Sequence, residues 1–162
     1  MLKELSDRGH RVTGIARHPE KIAQLPNVTA AKGDVFDKDG LAALLRGHDA
    51  VASAVFFTAS DPDLLIAAVR ASGVRRYLVV GGAGSLEIAP GLRLIDSPDF
   101  PPAYKAEAAK GAEFLERLRG VADLDWTFLS PSALFEPGER TGVFRLGHDQ
   151  LLTNAEGSRI SM

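Results

Sequence analysis

Residues 50–80 read AVASAVFFTASDPDLLIAAVRASGVRRYLVV, and they carry the clearest pattern of strand, helix and strand in the chain. It opens with an apolar run of strand length, Ala50–Val55, and closes with a second one, Arg76–Val80. Between them, the run Asp61–Asp63 supplies an N-cap and first-turn residues for a helix predicted over Leu64–Ala71. Buried strands that alternate with helices are typical of an α/β protein with a parallel sheet.

The same alternation continues on both sides of this stretch. Strand-length apolar runs are separated by helical stripes and by Gly or Pro, and nearly all strand centres are apolar. The other predicted strands are 11–16, 28–32 and 126–129, and the other predicted helices are the start of the chain up to Gly9, 20–24, 41–45 and 103–119. The sequence therefore predicts an α/β fold with a doubly wound parallel sheet.

The composition is that of one ordinary globular domain. The chain has 162 residues, of which 45% are hydrophobic and 25% are charged, enough to bury one substantial core. We therefore expect a single domain over residues 1–162, in which residues 130–162 form a substrate-side loop region with one hairpin. A formal net charge of -2 and the lack of a long basic run disfavour nucleic acid as a partner.

Simple counts exclude several other classes of protein. No cysteine is present, which rules out a disulfide framework and thiolate catalysis and fits a reducing cytoplasm. No apolar run approaches the ~20 residues that span a bilayer, and the start of the chain carries no signal-peptide core. The histidines are scattered without an i, i+4 pair. We expect a cytoplasmic protein that binds neither membrane nor metal.

Ligands of doubly wound sheets bind beyond the carboxyl ends of the strands, so the residues there are the first candidates for a site. Arg17 ends the first predicted strand, where dinucleotide-binding folds meet the adenosine ribose. An acidic residue there favours NAD, whereas an arginine can hold the 2′-phosphate of NADP in bidentate fashion. Arg17 therefore predicts NADP(H) as cofactor, with His18 and Lys21 adding charge. NAD(H), or an Arg17 that is merely solvated, stays open as an alternative.

Two further strand ends carry candidate residues. Asp34 and Val35 follow the second strand, where an aspartate side chain and the next backbone group commonly meet the adenine edge. A Gly-Asp turn is also common in proteins without a ligand. Ser53 and Ala54 end the third strand, and their small side chains either let a cofactor pass close to the chain or simply pack the strand.

One ordered set of motifs runs through the chain. It consists of GIAR at 14–17, GDV at 33–35, SA at 53–54, RRYLVVGGAG at 75–84 and DWTFLSP at 125–131. By this order nearly the whole chain resembles the NAD(P)H-binding proteins related to NmrA-like regulators, flavin reductases and atypical short-chain dehydrogenases. The resemblance implies a Rossmann-like fold, nicotinamide-side residues at Gly81, Gly82 and Ala83, pocket-closing residues at Ser130 and Pro131, and a substrate-side segment at 138–142.

One departure from these relatives bears on the chemistry. Short-chain dehydrogenases that reduce carbonyls use a Ser, a Tyr and a Lys four residues beyond the Tyr, so that the ammonium lowers the pKa of the tyrosine. Tyr104 is the one catalytic candidate of this kind, but Ala108 stands at the lysine position. Tyr104 is better explained as a residue that starts an amphipathic helix, and standard carbonyl reduction is disfavoured.

Hydride transfer to a flavin- or quinone-like acceptor does not need this relay, because the cofactor supplies the chemistry and the protein positions two rings. We therefore expect an NADPH-dependent oxidoreductase whose partner is a small-molecule acceptor. The alternative is a noncatalytic protein that senses NADP and reports its state to another protein.

Both ends of the chain are expected to be short relative to these relatives. In them a strand and a glycine-rich loop precede the first helix and bind the pyrophosphate, whereas here residue 1 already belongs to that helix. Residues 158–162 likewise stop where relatives continue. The alternatives are a truncated gene product, a shortened protein that completes its sheet from another segment or from a second copy in a homodimer, and a remnant that no longer binds cofactor.

Overall fold

The computed structural model of the chain describes residues 1–161. Its backbone forms two compact units. The first unit comprises Met1–His48 and Asp63–Val74, and the second comprises Asp49–Pro62 and the residues that follow Val74. Both units contain parallel strands alternating with helices, as the sequence predicts. The assignment of residues 1–162 to a single domain stays a prediction.

The first unit contains two parallel strands and three helices. Its elements are α1 (Leu2–Asp7), β1 (Val12–Ala16), β2 (Val28–Lys32), α2 (Lys38–Leu45) and α3 (Pro62–Ser72), of which α3 belongs to this unit from Asp63 onwards. Val12 lies opposite Val28, and Ala16 lies opposite Lys32. The apolar stripes of α2 and α3 supply the buried side chains Leu41, Ala42, Leu45, Leu65, Ile66, Ala68 and Val69.

The second unit contains most of the strands. Its elements are β3 (Ala50–Ser53), β4 (Arg76–Val80), β5 (Glu87–Ala89), β6 (Leu92–Arg93), α4 (Pro102–Arg119), β7 (Asp125–Leu129), β8 (Leu134–Glu136) and β9 (Arg159–Ser161). A parallel sheet has the order β3-β4-β7. The core contains Phe57, Tyr77, Val79, Leu86, Ile95, Ala112, Phe114, Leu118 and Val121. No helix within residues 1–161 is long and apolar enough to cross a membrane.

One predicted helix is wrong. Residues 20–24 do not form a helix, because a 3-10 turn covers Pro19–Lys21 and Ile22 is already extended, with φ -72° and ψ 129°. The segment before Pro26 is too short to offset the cost of starting an α-helix. Ile22 instead packs on β1, since a Cβ placed on Gly14 would lie 3.2 Å from the Cδ1 of Ile22. Packing on the strand therefore overrides helix propensity at this point.

The hairpin predicted within residues 130–162 is reduced to one antiparallel bridge, in which the amides of Asn154 and Gly157 donate to each other's carbonyls at 2.9 and 3.1 Å. β8 and β9 pair in parallel, with Leu134 opposite Arg159, so the long segment between them returns to the same end of the pair at which β8 began. An antiparallel pair of strands lies earlier in this unit, where β5 and β6 are joined by a turn with Gly91 at φ 73°. Glycine adopts this backbone region without steric cost, so the turn forms inside the Gly- and Pro-rich stretch that carries no strand signal.

Candidate functional site

The carboxyl ends of β1 and β2 bring two predicted site residues together in the first unit. The Gly33 amide donates a hydrogen bond to the Ala16 carbonyl at 3.1 Å. Arg17 and Asp34, the next residues along the chain, therefore lie on neighbouring segments just beyond the two strands. A Cβ on Gly33 would lie 2.6 Å from a methyl group of Ile15, so glycine is required there by packing. Arg17 is exposed and forms no ion pair within residues 1–161, which leaves its guanidinium donors available for an anion.

Asp34 has a structural role in this turn. Its Oδ1 accepts a hydrogen bond from the Phe36 amide at 3.0 Å, and its carbonyl accepts another from the Asp37 amide at 3.1 Å. Val35, the next residue, is half-buried. His18 is exposed, with its Nδ1 3.2 Å from an oxygen of Glu20. The turn therefore explains Asp34 without a ligand, while the second carboxylate oxygen stays free for one.

Three strand ends meet at one edge of the sheet in the second unit. Ser53 of β3 lies opposite Val79 of β4, and Val80 lies opposite Leu129 of β7. The Gly81 amide continues the ladder with a hydrogen bond to the Leu129 carbonyl at 2.9 Å. The structure thereby brings together the predicted residues Ser53, Ala54, Gly81, Gly82, Ala83, Ser130 and Pro131, which follow the carboxyl ends of three adjacent parallel strands.

The glycines of this edge differ in what requires them. A Cβ on Gly81 would lie 2.3 Å from the Phe128 ring, and one on Gly84 would lie 2.8 Å from the Cβ of Ala108. At Gly82 the nearest atom to such a Cβ is a ring carbon of Phe57 at 4.0 Å, and the backbone is extended with φ -135° and ψ 154°. Neither packing nor backbone conformation demands glycine at position 82. A glycine that neither packing nor backbone conformation requires leaves its backbone open to the close approach of another group.

An aromatic cluster lies beneath the same edge. The Phe57 ring stacks on Phe128 with 6.0 Å between centroids and meets Phe114 edge-on at 5.8 Å. Glu107 of α4 holds the backbone beside this ring. One of its oxygens accepts a hydrogen bond from the Phe57 amide at 2.6 Å, and the other accepts bonds from the Thr58 amide at 2.9 Å and hydroxyl at 2.7 Å. The loop after β3 is thus fixed to α4 by a carboxylate.

Sequence reasoning missed Glu107 and Phe57. Glu107 lies 50 positions from Phe57 in the sequence, and a glutamate in an Ala-, Glu- and Lys-rich helix gives no signal that sets it apart from a solvated side chain. The pair Phe56-Phe57 directly after an apolar strand is the one available signal. Two adjacent aromatic residues outside a strand indicate that one of them is buried by tertiary packing, and in the structure it is Phe57.

The two tyrosines of the chain have opposite surroundings. Tyr104 lies in the first turn of α4 and is 67% exposed. Tyr77 is fully buried in β4, and this burial raises the pKa of its phenol to about 12, with the Ser53 side chain acting in the opposite direction. The Tyr77 hydroxyl nevertheless makes no hydrogen bond of good geometry within residues 1–161. Tyr104 is therefore the only one of the two that a substrate can reach.

Ala108 shows why the lysine of the usual relay is absent. It stands one turn beyond Tyr104 and packs directly on Gly84, because a Cβ on that glycine would come within 2.8 Å of the Ala108 methyl. A lysine at this position would have to displace the 3-10 helix Ala83–Ser85. The relay position is thus used for packing. Exposed apolar side chains accompany these strand ends in the second unit, at Val55, Phe56, Val80 and Leu129.

Comparison with known proteins adds a family relationship. The NAD(P)H-binding family matches the chain over residues 1–162. The Bacillus subtilis protein YwnB, itself uncharacterised, is 39% identical over an alignment of 167 positions that covers 97% of this chain and 77% of YwnB.

Solved structures show the same similarity in three dimensions. A candidate epimerase from Bacteroides thetaiotaomicron is 40% identical with a TM-score of 0.91, over 99% of this chain and 77% of its own. A candidate exported protein from Burkholderia pseudomallei is 44% identical with a TM-score of 0.86, over 98% and 78%. A candidate NADH-flavin reductase from Streptococcus pneumoniae is 39% identical with a TM-score of 0.77, over 99% and 79%. These similarities confirm the predicted Rossmann-like α/β fold.

Proposed function

Because this chain belongs to the NAD(P)H-binding family, in its NmrA-like branch of atypical short-chain dehydrogenases, we propose that it is an NADPH-dependent oxidoreductase with a small flavin- or quinone-like acceptor. The observation that carries the proposal is Gly82. At an edge where Gly81 and Gly84 are fixed by packing, position 82 alone has room that its own fold does not use. Such room beside the end of a central parallel strand suits the planar ring of a dinucleotide.

Each unit, taken by itself, carries residues that suit one part of a dinucleotide. In the first unit the unpaired guanidinium of Arg17 suits a 2′-phosphate, with His18 and Lys21 nearby in sequence, and Asp34 and Val35 suit the adenine edge. In the second unit the nicotinamide end would contact Ser53, Ala54, Gly81, Gly82, Ala83, Ser130 and Pro131. Bound NADPH would supply the hydride, and the chain would hold the two rings in line and exclude water.

The choice of acceptor follows from the surroundings of the strand ends. Exposed apolar side chains there, such as Phe56 at 74% and Leu129 at 59% exposure, offer a surface for a planar ring rather than for a highly charged substrate. The Ala108 position lacks the lysine that a carbonyl-reducing relay requires. The similarity to the candidate NADH-flavin reductase supports the same choice.

The missing relay also favours one second candidate, a noncatalytic protein that senses NADP for another protein. Calorimetry with NADPH and NADH, followed by steady-state NADPH oxidation with a flavin and a quinone as acceptors, separates the two functions. We expect tighter binding of NADPH than of NADH and steady oxidation with at least one acceptor. Binding without turnover for the whole acceptor panel would favour the sensor, and the lack of any binding would contradict both.

We also propose a cytoplasmic location and a homodimer for this protein. The chain of 162 residues contains no cysteine, which fits a reducing compartment. Fractionation of cells with an antibody to the chain tests the location, and light scattering on the purified protein tests the dimer. A secreted protein or a monomer at micromolar concentration would contradict the respective proposal.

A further inference from the structure

Glu107 commits its whole carboxylate to the loop after β3. Both of its oxygens accept hydrogen bonds from that loop, two of them from the consecutive amides of Phe57 and Thr58. Charge-assisted bonds of this kind are shorter and stronger than those between neutral groups. These bonds join the loop after β3 to α4, which lies about 50 positions further along the chain. They therefore fix the position of the loop relative to α4 rather than its local turn.

The Phe57 ring connects the loop after β3 to the glycines that follow β4. It stacks on Phe128, and Phe128 fills the space that a side chain on Gly81 would need. The same Phe57 ring lies 4.0 Å from the Cβ position of Gly82. A Cβ on Gly111 would come within 2.9 Å of the same ring, so α4 also packs closely against Phe57. Close-packed side chains of this kind transmit displacements because they leave no slack.

We propose that Glu107 is a positioning residue that sets the nicotinamide end of the cofactor site by holding the Phe57 ring against Phe128, which packs on Gly81, and beside Gly82. The proposal rests on the proposed function, because it concerns the binding of the same dinucleotide. Glu107 does not touch the cofactor; it holds the Phe57 ring that borders the room beside Gly82. Displacements of about 1 Å at a reacting ring change binding and rate strongly, which makes such a fixed support necessary.

The test compares two ligands that differ at the nicotinamide. Calorimetry is carried out on the full chain with NADPH and with 2′-phospho-ADP-ribose, which lacks that ring. In Glu107→Gln the new NH2 group faces a backbone N–H donor, so at least one hydrogen bond is lost. We expect the Kd for NADPH to rise about five- to tenfold, the range of one lost hydrogen bond, and the Kd for the nicotinamide-free ligand to change less than about twofold.

Glu113→Gln provides the matched control. It makes the same chemical change further along α4, where the carboxylate pairs with Lys110 at 2.8 Å instead of with the Phe57 and Thr58 amides. We expect both dissociation constants to stay at the wild-type value. Thr58→Val removes only the hydroxyl bond to Glu107 and guards against poor folding of the first variant. It should raise the Kd for NADPH about two- to threefold with the same selectivity between the two ligands.

Three outcomes would overturn the proposal. Equal weakening of both ligands in Glu107→Gln would show a general structural role, and an unchanged Kd for NADPH would show no role. A wild-type chain that binds neither ligand would overturn the proposed function together with this inference. Amide hydrogen exchange of the free protein distinguishes these failures, because it shows directly whether Glu107→Gln releases the Phe57 and Thr58 amides, with or without a cofactor.

Discussion

The two units hold their strand ends in different ways. In the first unit, the turn after β2 is fixed by its own residues, as Asp34 binds the Phe36 amide two positions further on. In the second unit, the loop after β3 is fixed from a distance by Glu107 and by the stacking of Phe57 on Phe128. A side chain can be replaced in a turn held by local hydrogen bonds without disturbing the core. Replacing the buried ring that anchors a loop does disturb the core.

Because the two units hold their strand ends differently, we expect substitutions in one unit to change cofactor affinity and substitutions in the other to change the free energy of unfolding. Substitutions at the exposed strand ends of the first unit should change the affinity for a cofactor and leave the free energy of unfolding unchanged. Substitutions beneath the strand ends of the second unit should change the free energy of unfolding first. Each of the following variants tests one side of this comparison.

Phe57→Ala should have the largest effect. The ring is 8% exposed and contacts Phe114 and Phe128, so we expect the free energy of unfolding to fall by about 3–5 kcal/mol, as in other buried Phe→Ala variants. Phe56→Ala is the matched control, because this ring is 74% exposed and its loss should cost less than about 0.5 kcal/mol. Urea unfolding measures both. Similar losses in the two variants would break the proposed distinction.

Arg17→Asp should act on binding alone. If Arg17 holds the 2′-phosphate, the affinity for NADPH falls by about 1.5–3 kcal/mol, the range for a hydrogen bond to a charged group. NADH lacks that phosphate and serves as the internal control, with an unchanged Kd. The midpoint of urea unfolding should also stay at the wild-type value, because the side chain is exposed and unpaired within residues 1–161. Calorimetry that finds both cofactors weakened equally would refute the role of Arg17 in the phosphate site.

The same distinction explains how far the sequence predicts the structure. Strands such as Val28–Lys32 and Arg76–Val80 have the predicted bounds, because β-branched and apolar residues followed by glycine carry a local signal. The helix expected at residues 20–24 was wrong, since Ile22 packs on Gly14 and only tertiary contact reveals this. The parallel pairing of β8 and β9 likewise depends on a long-range contact.

For the site, the sequence located the strand ends and the missing lysine at position 108, both of which follow from spacing along one element. It could not show that Gly81 and Gly82 differ, because the difference lies in Phe128 and Phe57, which approach from other parts of the chain. It could not show Glu107 for the same reason. The sequence therefore predicts features that depend on spacing along one element. It does not predict the long-range contacts of Phe57, Phe128 and Glu107 that hold those elements in place.

The glycine pair gives a sharper comparison within one turn. Gly81→Ala should lower the free energy of unfolding by about 1–3 kcal/mol, because its Cβ would overlap the Phe128 ring. Gly82→Ala should leave the free energy of unfolding within about 0.5 kcal/mol, since its Cβ has room and the backbone is extended. Its cost should appear in the Kd for NADPH, about tenfold higher if the cofactor ring approaches this backbone, since the added methyl would remove packing worth about 1.4 kcal/mol. Wild-type binding by Gly82→Ala would argue against that approach.

Tyr104→Phe should have the smallest effect. We expect kcat for NADPH oxidation with a quinone acceptor to fall less than about tenfold, because a positioned acid typically contributes ~100-fold or more and Tyr104 lacks the lysine that would activate it. Ala108→Lys is the complementary variant. It restores the spacing of the relay, but the side chain would press on Gly84, so we expect a loss of stability in urea rather than a gain in kcat.

The kcat of Tyr104→Phe shows whether a bound acceptor covers Tyr104 or leaves it in water. A ring that is 67% exposed keeps its hydroxyl in water, and a proton donor in water offers little that the solvent does not already supply. A hundredfold or larger loss of kcat in Tyr104→Phe would therefore mean that the acceptor covers Tyr104 and removes that water on binding. A small loss would leave positioning of the two rings as the contribution of the protein, and the support from Glu107 and Phe57 would then matter more than any acid.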